Sequence, residues 1–433
     1  MSLDPVRAAP AHSVAARPVA EGDDPATFTS EGVAEDPVPV ENHRLVSEFG
    51  ATPISELGDL PDSYVFRRGL VYSHRDFVEF QRALRSGKRC AIVSGFNPSG
   101  SLHLGHRALL DLLVYYQRTF DMRVFVPVSA DESYVTGRVP TLAAATENSI
   151  SMVREILAYG LDPRRTTFLI DTMYTNIYNL AIELSRWVTL STVRATYGNS
   201  VEENLGRSFY PSVQAAHILL PSVVLGYDHV LVPIGPDEDA HLRLCRDVAC
   251  RSGVRKPSVL HFKLQPGTDG AKMSKSRGNT IGLFDSEEEV RRRVHRAFSG
   301  GAASAADHRR RGGDPARDVA LHYLEKFYLP PAEGAQLADR YRRGEVLSGE
   351  IKQTLAQLLC DECGMHRSAL RAIADSDLIG ALLENSQAPY PPPGHVGHGP
   401  DPACSHGEFR DPGRGGPDRG VREMPPNRFA DDH

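Results

Sequence analysis

The sequence lacks the features that would place it in three common classes of protein. No apolar run approaches the roughly 20 residues of a membrane-spanning helix. Only 6 of the 433 residues are cysteine, in no regular pattern, and no secretory hydrophobic segment opens the chain, so we expect a protein of the reducing cytoplasm. A formal net charge of −6 excludes a protein that coats nucleic acid by bulk attraction, although it is compatible with a local basic face.

The length and composition of the chain are those of a large globular protein with several domains. Hydrophobic residues make up 41% of the chain, and its length allows two or three domains with an ample core. Both ends are rich in proline and lack periodicity, so we expect them to be disordered. The predicted parts are a leader at 1–41, an appended segment at 42–88, an α/β domain at 89–284 with an insertion at about 131–207, a helical domain at 285–387 and a tail at 388–433.

Short apolar runs alternate with amphipathic ones between 89 and 284. Helical spacing fills the gaps between the apolar runs, for example over 144–159 and 179–189. Such alternation is typical of a parallel, doubly wound sheet, in which ligands bind at the carboxyl ends of the strands where the strand order reverses. The candidate strands are 90–94, 124–128, 167–170, 229–233 and 258–262.

The segment 97–106 follows the first candidate strand and reads Asn-Pro-Ser-Gly-Ser-Leu-His-Leu-Gly-His. This arrangement is a strand, then a loop of small residues, then the start of a helix. It points backbone N–H groups and the positive end of the helix dipole at one spot, which suits phosphate. His103 and His106 are three positions apart, so both side chains can face one ligand. Histidines near a helix start also serve as caps or surface groups, so this segment alone leaves both interpretations open.

A second polar segment, 270–279, lies far downstream and reads Gly-Ala-Lys-Met-Ser-Lys-Ser-Arg-Gly-Asn. Taken alone, it has the composition of a solvated surface loop. Together and in this order, however, the His-x-Gly-His and Lys-Met-Ser-Lys-Ser sequences resemble the paired signatures of class I aminoacyl-tRNA synthetases. Further stretches are similar to the tryptophanyl-tRNA synthetases of the archaeal and eukaryotic type: 66–76, 214–216, 237–239, 242–249 and 297–301.

This resemblance implies both a fold and a reaction. The fold is α/β, with the Rossmann-like parallel sheet of a class I synthetase, a connective insertion that makes a homodimer interface, and a helical anticodon-binding domain. The implied partners are ATP, Mg²⁺ carried by the ATP, tryptophan or a related aromatic amino acid, and tRNA. In the reaction, the amino acid carboxylate attacks the α-phosphorus of ATP, pyrophosphate leaves, and the aminoacyl-adenylate is captured by a ribose hydroxyl of the tRNA.

Three arginine-rich clusters in the helical domain bear on the tRNA. They lie at 291–296, 308–311 and 340–343, and a solvated helix face is the ordinary interpretation of any one of them. Given the resemblance, arginine contacts with phosphates would position the tRNA there, and contacts with single-stranded anticodon bases would specify it.

Transfer to phosphorus requires positioning and charges aimed at oxygen atoms rather than a covalent nucleophile. The resemblance assigns catalytic roles to His103, His106, Lys272 and Lys275. It assigns ATP contacts to Gly95, Asn97, Gly105, Ser274 and Ser276, with Gly105 leaving room for the adenine.

The amino acid pocket departs from the family pattern. Glu132 matches an acidic residue beside the substrate ammonium and Gln214 a pocket glutamine, although a helix-end charge and a surface amide would explain the same two residues. Val93 stands where a tyrosine holds the indole N–H, and Pro127 and Glu238 replace glutamines. An indole N–H buried without a partner costs about 1–3 kcal/mol, or on the order of ten- to hundredfold in affinity. The expected contacts are Val93, Pro127, Glu132, Gln214, Asp237 and Glu238.

Three functions therefore remain open. The first is a tryptophan–tRNA ligase, and the second is a paralogue that activates a different or modified amino acid for a biosynthetic pathway. The third is a non-catalytic regulator that binds amino acid or tRNA, against which the intact histidine and lysine motifs count.

Two sets of residues have spacings that resemble metal ligands. Cys360, Cys363 and His366 fall on a helical pattern without a second pair nearby, so buried or idle thiols are the better interpretation. The histidines of the tail, with Cys404, form the second set. We expect no metal site held by the protein alone.

Overall fold

The computed structural model describes residues 44–390. The leader at 1–41 and the part of the tail that contains its histidines and Cys404 lie outside the described residues. Within 44–390, seven strands form one sheet. They are β1 Thr52–Pro53, β2 Val71–Arg75, β3 Cys90–Val93, β4 Arg123–Val128, β5 Thr166–Ile170, β6 His229–Ile234 and β7 Ser258–Phe262.

The sheet is doubly wound. Its strand order is β1-β2-β7-β6-β3-β4-β5, and the five strands from β7 to β5 run parallel. The chain leaves β3 through β4 and β5 on one side, then returns to build β6 and β7 on the other, so the strand order reverses beside β3. The predicted fold class is confirmed, and each of the five predicted strands is present to within one residue at either end.

The two remaining strands were not expected. β1 and β2 come from the predicted appended segment and join the sheet antiparallel at its β7 edge. That segment therefore contributes strands to the sheet itself. A two-residue strand carries no periodicity that the sequence could show, and the pairing of β2 with β7 depends on residues far apart in the chain.

Helices flank the sheet and continue beyond it. Up to the last strand they are α1 Tyr64–Arg67, α2 Phe77–Arg85, α3 Arg107–Phe120, α4 Ala130–Val135, α5 Leu142–Tyr159, α6 Asn176–Ser185, α7 Leu190–Tyr197, α8 Leu205–Val223 and α9 Asp239–Arg251. After it come α10 Glu287–Arg296, α11 Ala305–Arg311, α12 Val319–Tyr323, α13 Pro331–Arg342, α14 Ser348–Ala372 and α15 Asp375–Ala381. No helix within 44–390 has the length and apolar character needed to cross a membrane.

Local chemistry explains where the predicted helices begin and end. The helix expected at 144–159 starts as α5 because the Thr141 side chain caps it by accepting from the Ala144 N–H. The prediction of one helix over 179–189 is wrong at its C-terminal end. The Thr189 side chain accepts from the Thr192 N–H and starts a second helix, so α6 ends at Ser185 and α7 follows.

Successive residues of the central strands enter two separate hydrophobic cores. In β4, Val124 and Val126 belong to one core and Phe125 to the other, since strand side chains alternate between faces. The first core also takes in α5, α10 and α14, and the second takes in α6, α8 and α9. The helical region after β7 thus packs directly on one face of the α/β part.

The cysteine pattern on α14 belongs to this packing. Cys360 and Cys363 are buried, and the Cys363 thiol lies 3.5 Å from the carbonyl oxygen of Gly282. Nδ1 of His366 lies 3.0 Å from the carbonyl oxygen of Leu283. Across residues 44–390, no group of three or more His, Cys, Asp or Glu side chains is placed to hold a metal ion.

A buried ionic network ties β2 to the main sheet. Arg75 donates from Nε and from a terminal nitrogen to the two carboxylate oxygens of Asp239, both at 2.9 Å. His261 on β7 lies 2.9 Å from the same carboxylate and, through its other ring nitrogen, 2.9 Å from the Ser73 hydroxyl of β2. The network holds the start of α9, and with it the preceding turn that carries Asp237 and Glu238.

We expect Asp239→Asn to destabilise the protein by about 3–5 kcal/mol, because the buried Arg75 guanidinium loses its counter-ion. Urea unfolding followed by circular dichroism measures the change. The matched control is Arg85→Met, which breaks an exposed pair with Asp59 and should cost at most about 1 kcal/mol. Equal losses in the two variants would contradict a structural role for the network.

Candidate active site

A cavity of ≈ 610 Å³ lies at the carboxyl ends of β3, β6 and β7, beside the reversal of strand order. Ten residues expected from the sequence line it: Gly95, Asn97, His103, Gly105, His106, Asp237, Lys272, Ser274, Lys275 and Ser276. Five others lie outside its lining: Val93, Pro127, Glu132, Gln214 and Glu238. The histidine and lysine segments, distant in sequence, therefore share one cavity.

The backbone fixes the proton positions of the two imidazoles. The Gly105 N–H donates to Nδ1 of His103 at 3.2 Å, and the His103 N–H donates to Nδ1 of His106 at 3.1 Å. A backbone amide can only donate, so Nδ1 is the acceptor on both rings and the proton sits on Nε2. The ring centroids are 3.9 Å apart. The pair consequently presents two Nε2–H donors.

Both imidazoles are neutral at physiological pH. Burial, reinforced by the Lys275 amine, lowers the pKa of His103 to about 3. Burial also lowers the pKa of His106 well below its usual value, and the neighbouring His103 and Lys275 add to the effect. The pair can bind phosphate oxygens by hydrogen bonding without losing a proton to them.

Gly105 makes room for one of these rings. A Cβ atom added at position 105 would lie 2.9 Å from both Cε1 and Nδ1 of His103. Any larger residue there would displace the imidazole. From the sequence, Gly105 was expected to leave space for an adenine. In the structure, the space beside Gly105 is taken by the His103 ring.

The two lysines of the second motif have partners across the cavity. The Lys272 amine donates to Asp237 Oδ2 at 2.8 Å, and the Lys275 amine donates to the carbonyl oxygen of Gly100 at 2.5 Å. Burial lowers the pKa of Lys275 to about 8, while the Glu155 carboxylate opposes the shift. The lysine loop therefore lies against the histidine loop.

Asn279, to which the sequence analysis gave no role, holds the lysine loop in shape. Its Oδ1 accepts from the Ser274 N–H at 2.8 Å, and its Nδ2 donates to Asp269 Oδ1 at 2.8 Å and to the Lys272 carbonyl at 2.9 Å. A Cβ at Gly267 would lie 2.3 Å from Asn279, so glycine is required at that position. The hydroxyls of Ser274 and Ser276 are 2.9 Å apart.

A group of acceptors lies next to the cavity. Glu132 accepts from the Asn97 amide at 2.6 Å and from Arg138 at 3.1 Å. The Gln214 amide nitrogen donates to Glu238 at 3.2 Å, whereas Gln214 Oε1 is buried and, within 44–390, has no hydrogen-bonding partner. Burial raises the pKa of Glu132, and burial together with Asp237 raises that of Glu238 to about 7. We name Glu132, Gln214 and Glu238 the acceptor group.

Val93 and Pro127 offer no polar side-chain atom. Val93 is buried in the hydrophobic core with Phe125 and Leu169. Pro127 pairs with Leu169 in the sheet, and its carbonyl oxygen accepts from the Phe96 N–H at 2.9 Å, which fixes the loop after β3. Both positions are apolar, and neither residue lines the cavity, so their contact with the amino acid stays a prediction.

Two further buried polar residues were not predicted from the sequence. Asp171 directly follows β5, and its Oδ1 lies 2.5 Å from Nε2 of His217 on α8. Each is a single polar residue beside an apolar run, and neither matched a motif. Only the packing of α8 against the end of β5 could have identified the pair.

A doubly wound sheet with an imidazole pair and a lysine loop at its switch point defines a nucleotide-binding enzyme fold. The family model described as tRNA synthetases class I (W and Y) matches residues 85–360, more than half of the 433. The chain belongs to this family, as its two motifs indicated.

Relatives are similar over most of their length. The chain is 37% identical over 361 residues to tryptophan–tRNA ligase 2 of Halobacterium salinarum, covering 80% of this chain and 93% of that protein. It is 34% identical over 370 residues to tryptophan–tRNA ligase of Methanopyrus kandleri, covering 82% and 97%.

Solved structures agree in fold. Tryptophanyl-tRNA synthetase from Aeropyrum pernix superposes with a TM-score of 0.72 at 34% identity, covering 79% of this chain and 96% of that one. The enzyme from Giardia lamblia has a TM-score of 0.72 at 28% identity, covering 83% and 100%. The fold expected from the sequence is thereby confirmed.

The pKa of Lys275 predicts how activity depends on pH. The amine is cationic below pH about 8 and loses its charge as the pH rises through that value. We therefore expect kcat/KM for ATP to fall above pH about 8, and Lys275→Arg to remove this fall because a guanidinium stays charged.

Pyrophosphate exchange measured from pH 6 to 10 gives the profile. Lys352→Arg is the matched control, since this amine lies on α14 outside the cavity lining and should leave the profile unchanged. An alkaline fall that persists in Lys275→Arg would contradict the assignment.

Proposed function

We propose that this chain is a tryptophan–tRNA ligase, which activates tryptophan with ATP and transfers it to tRNA. The observation that carries the proposal is the meeting of two neutral Nε2–H donors and two lysine amines at one cavity, with the acceptor group beside it. The donors and amines suit a triphosphate, and the acceptors suit an ammonium. The names of the relatives supply tryptophan as the amino acid.

In the first step a carboxylate oxygen of the amino acid attacks the α-phosphorus, and the bond from that phosphorus to the bridging oxygen breaks. Pyrophosphate leaves and carries the displaced electron pair. His103 and His106 donate to phosphate oxygens, and the lysines stabilise the charge that develops on the leaving group. In the second step a ribose hydroxyl of the tRNA attacks the acyl carbon and AMP leaves.

The acceptor group binds the amino acid end of the substrate. Gln214 Oε1 lacks a donor within 44–390, and Glu132 and Glu238 supply carboxylate oxygens. An ammonium group has three N–H donors, which these three side chains can accept. Asn97 both lines the cavity and donates to Glu132, so the ammonium would lie next to the reacting phosphate.

Mg²⁺ fits this site as a companion of ATP. Asp237, the one carboxylate among the described residues that line the cavity, is already paired with Lys272. Magnesium needs few protein ligands when phosphate oxygens and water coordinate it. Bound in this way, it would neutralise phosphate charge that the neutral imidazoles leave uncompensated.

The tRNA would lie along the helical region after β7. Arginines of its three clusters pair with carboxylates of their own helices, for example Arg291 with Glu287 at 2.7 Å and Arg292 with Glu289 at 2.5 Å. Such exposed pairs contribute little stability, so phosphates can take over the guanidinium groups at small cost.

A paralogue that uses a different or modified aromatic amino acid is the second candidate. The apolar side chains of Val93 and Pro127 favour it, because the usual side-chain partners of an indole N–H are missing there. A non-catalytic regulator is disfavoured by the complete set of groups around the cavity.

Amino-acid-dependent ATP–pyrophosphate exchange by the full chain, run across the twenty amino acids, tests the proposal. We expect the highest kcat/KM with tryptophan. Exchange with another amino acid alone supports the paralogue. Silence with all twenty, with and without tRNA, contradicts the proposed tryptophan–tRNA ligase. As a control, Lys275→Ala should slow exchange by orders of magnitude and leave amino acid affinity nearly unchanged, which calorimetry measures.

The homodimer expected from the resemblance is also part of the proposal. Large apolar side chains of the predicted insertion are exposed, among them Ile182, Leu190, Val201 and Leu205, at 62%, 61%, 70% and 86%. Exposed large apolar side chains concentrated in one region of the chain are typical of an interface. We propose that it joins two copies of the chain.

Sedimentation should therefore give twice the mass of the chain, and the double variant Val201→Glu with Leu205→Glu should shift the protein towards monomer. Ile379→Glu is the matched control, because Ile379 is equally exposed, at 61%, but lies outside the insertion. A dimer that is insensitive to the double variant would place the interface elsewhere.

A further inference from the structure

One arginine that belongs to neither motif lines the cavity. Arg138 lies in the turn between α4 and α5, and its side chain is 26% exposed. In the sequence this residue follows a glycine in a short polar stretch, which is an ordinary setting for a solvated side chain. Only the fold brings it to the cavity.

The turn that carries Arg138 is fixed on both sides. Gly137 has a left-handed backbone, with φ of +73°, and its N–H donates to the carbonyl oxygen of Tyr134 at 3.0 Å. Val139 is buried, and its N–H donates to the carbonyl oxygen of Ser133 at 3.0 Å. Because both neighbours are anchored to α4, the backbone of Arg138 has a defined position at the cavity.

The guanidinium of Arg138 forms an ion pair with a member of the acceptor group. Its Nη1 donates to Oε1 of Glu132 at 3.1 Å, and Oε2 of Glu132 accepts from the Asn97 amide at 2.6 Å. A guanidinium carries more N–H donors than this one contact uses. Since Arg138 and Asn97 both line the cavity, they mark the place where the acceptor group adjoins it.

The charge of Arg138 acts on both sides of the site. Burial raises the pKa of Glu132, and Arg138 opposes that rise. Burial lowers the pKa of Lys275 to about 8, and Arg138 contributes to the fall. The guanidinium therefore lies within electrostatic range of both the acceptor group and the lysine loop.

The ion pair is complementary to the head of an α-amino acid. Such a molecule carries its ammonium and its carboxylate on a single carbon atom, and the pair of Glu132 with Arg138 offers the two opposite charges side by side. The guanidinium fork also matches a carboxylate in geometry. With the ammonium at Glu132, the carboxylate would lie within reach of Arg138 and would face the cavity.

We infer that Arg138 binds the carboxylate of the amino acid substrate and holds it beside the α-phosphate, as a catalytic residue that neither motif contains. The inference rests on the proposed function. The carboxylate and the triphosphate are both anions, so repulsion opposes their approach, and a guanidinium next to the carboxylate offsets it. Arg138 stays protonated, and the bonds that form and break are those of the first step.

Calorimetry on the full chain with two matched ligands tests this inference. L-Tryptophan and tryptamine differ by the carboxylate alone, and both carry the ammonium. We expect the unaltered chain to bind tryptophan about ten- to hundredfold more tightly than tryptamine. In Arg138→Gln this ratio should fall to near one, through loss of affinity for tryptophan. If Arg138 only oriented Glu132, the variant would weaken both ligands equally and the ratio would not change.

Two further variants complete the test. Arg138→Lys keeps the charge and loses the fork, so it should give an intermediate ratio, which also covers the case that Arg138→Gln does not fold. Arg165→Gln is the matched control, because Arg165 also pairs with a carboxylate, that of Asp162 at 3.0 Å, but lies outside the cavity lining. It should leave the ratio unchanged.

The outcomes separate this inference from the proposed function. Equal affinity of the unaltered chain for both ligands overturns the inference alone. So does a ratio that survives in Arg138→Gln, or in Arg138→Lys should only that variant fold. If exchange selects a different amino acid, that amino acid and its decarboxylated amine replace the two ligands. Absence of exchange with all twenty amino acids overturns both the inference and the proposed function.

Discussion

A short antiparallel bridge between His103 and Gly282 holds together the two loops on which the site depends. The Leu104 amide donates to the carbonyl of Ile281, and the Leu283 amide donates to that of Leu102, both at 2.9 Å. The parallel sheet only brings the two loops to one edge. The bridge fixes the position of the imidazoles relative to the lysine loop. Without it, the two sides of the cavity would not be held at a fixed separation.

Because of burial, the two loops differ in charge. The imidazoles are driven neutral, so they recognise oxygen atoms by direction rather than by charge. Of the two loops, only the second supplies positive charge, through Lys272 and Lys275, while Arg138 and Lys263 also line the cavity. A site of this kind can orient a triphosphate through one segment and stabilise the negative charge of the leaving group through another. Only the second interaction strengthens in the transition state and so accelerates the reaction.

Much of this arrangement follows from local sequence patterns, and some of it does not. The five parallel strands and the two motif loops are visible because apolar runs and glycine-flanked polar segments carry local signals. β1 and β2 carry none, since a pairing such as Ser73 with His261 exists only after folding. Asp171 and His217 were invisible for the same reason. The role of a single polar residue at the edge of an apolar run depends on its contact with a residue of another helix or strand.

The proposed reaction requires the lysine loop to exchange its hydrogen-bonding partners. In this structure Lys272 is paired with Asp237, and Lys275 donates to the carbonyl of Gly100. A triphosphate that enters the cavity must replace these contacts, so the net contribution of each amine is the difference between its old and new partners. A carbonyl oxygen is a weaker partner for an ammonium than a phosphate oxygen, and a carboxylate is a closer competitor. In the proposed reaction Lys275 would therefore gain more from the exchange than Lys272, and of the two lysines it would contribute more to stabilising the leaving pyrophosphate.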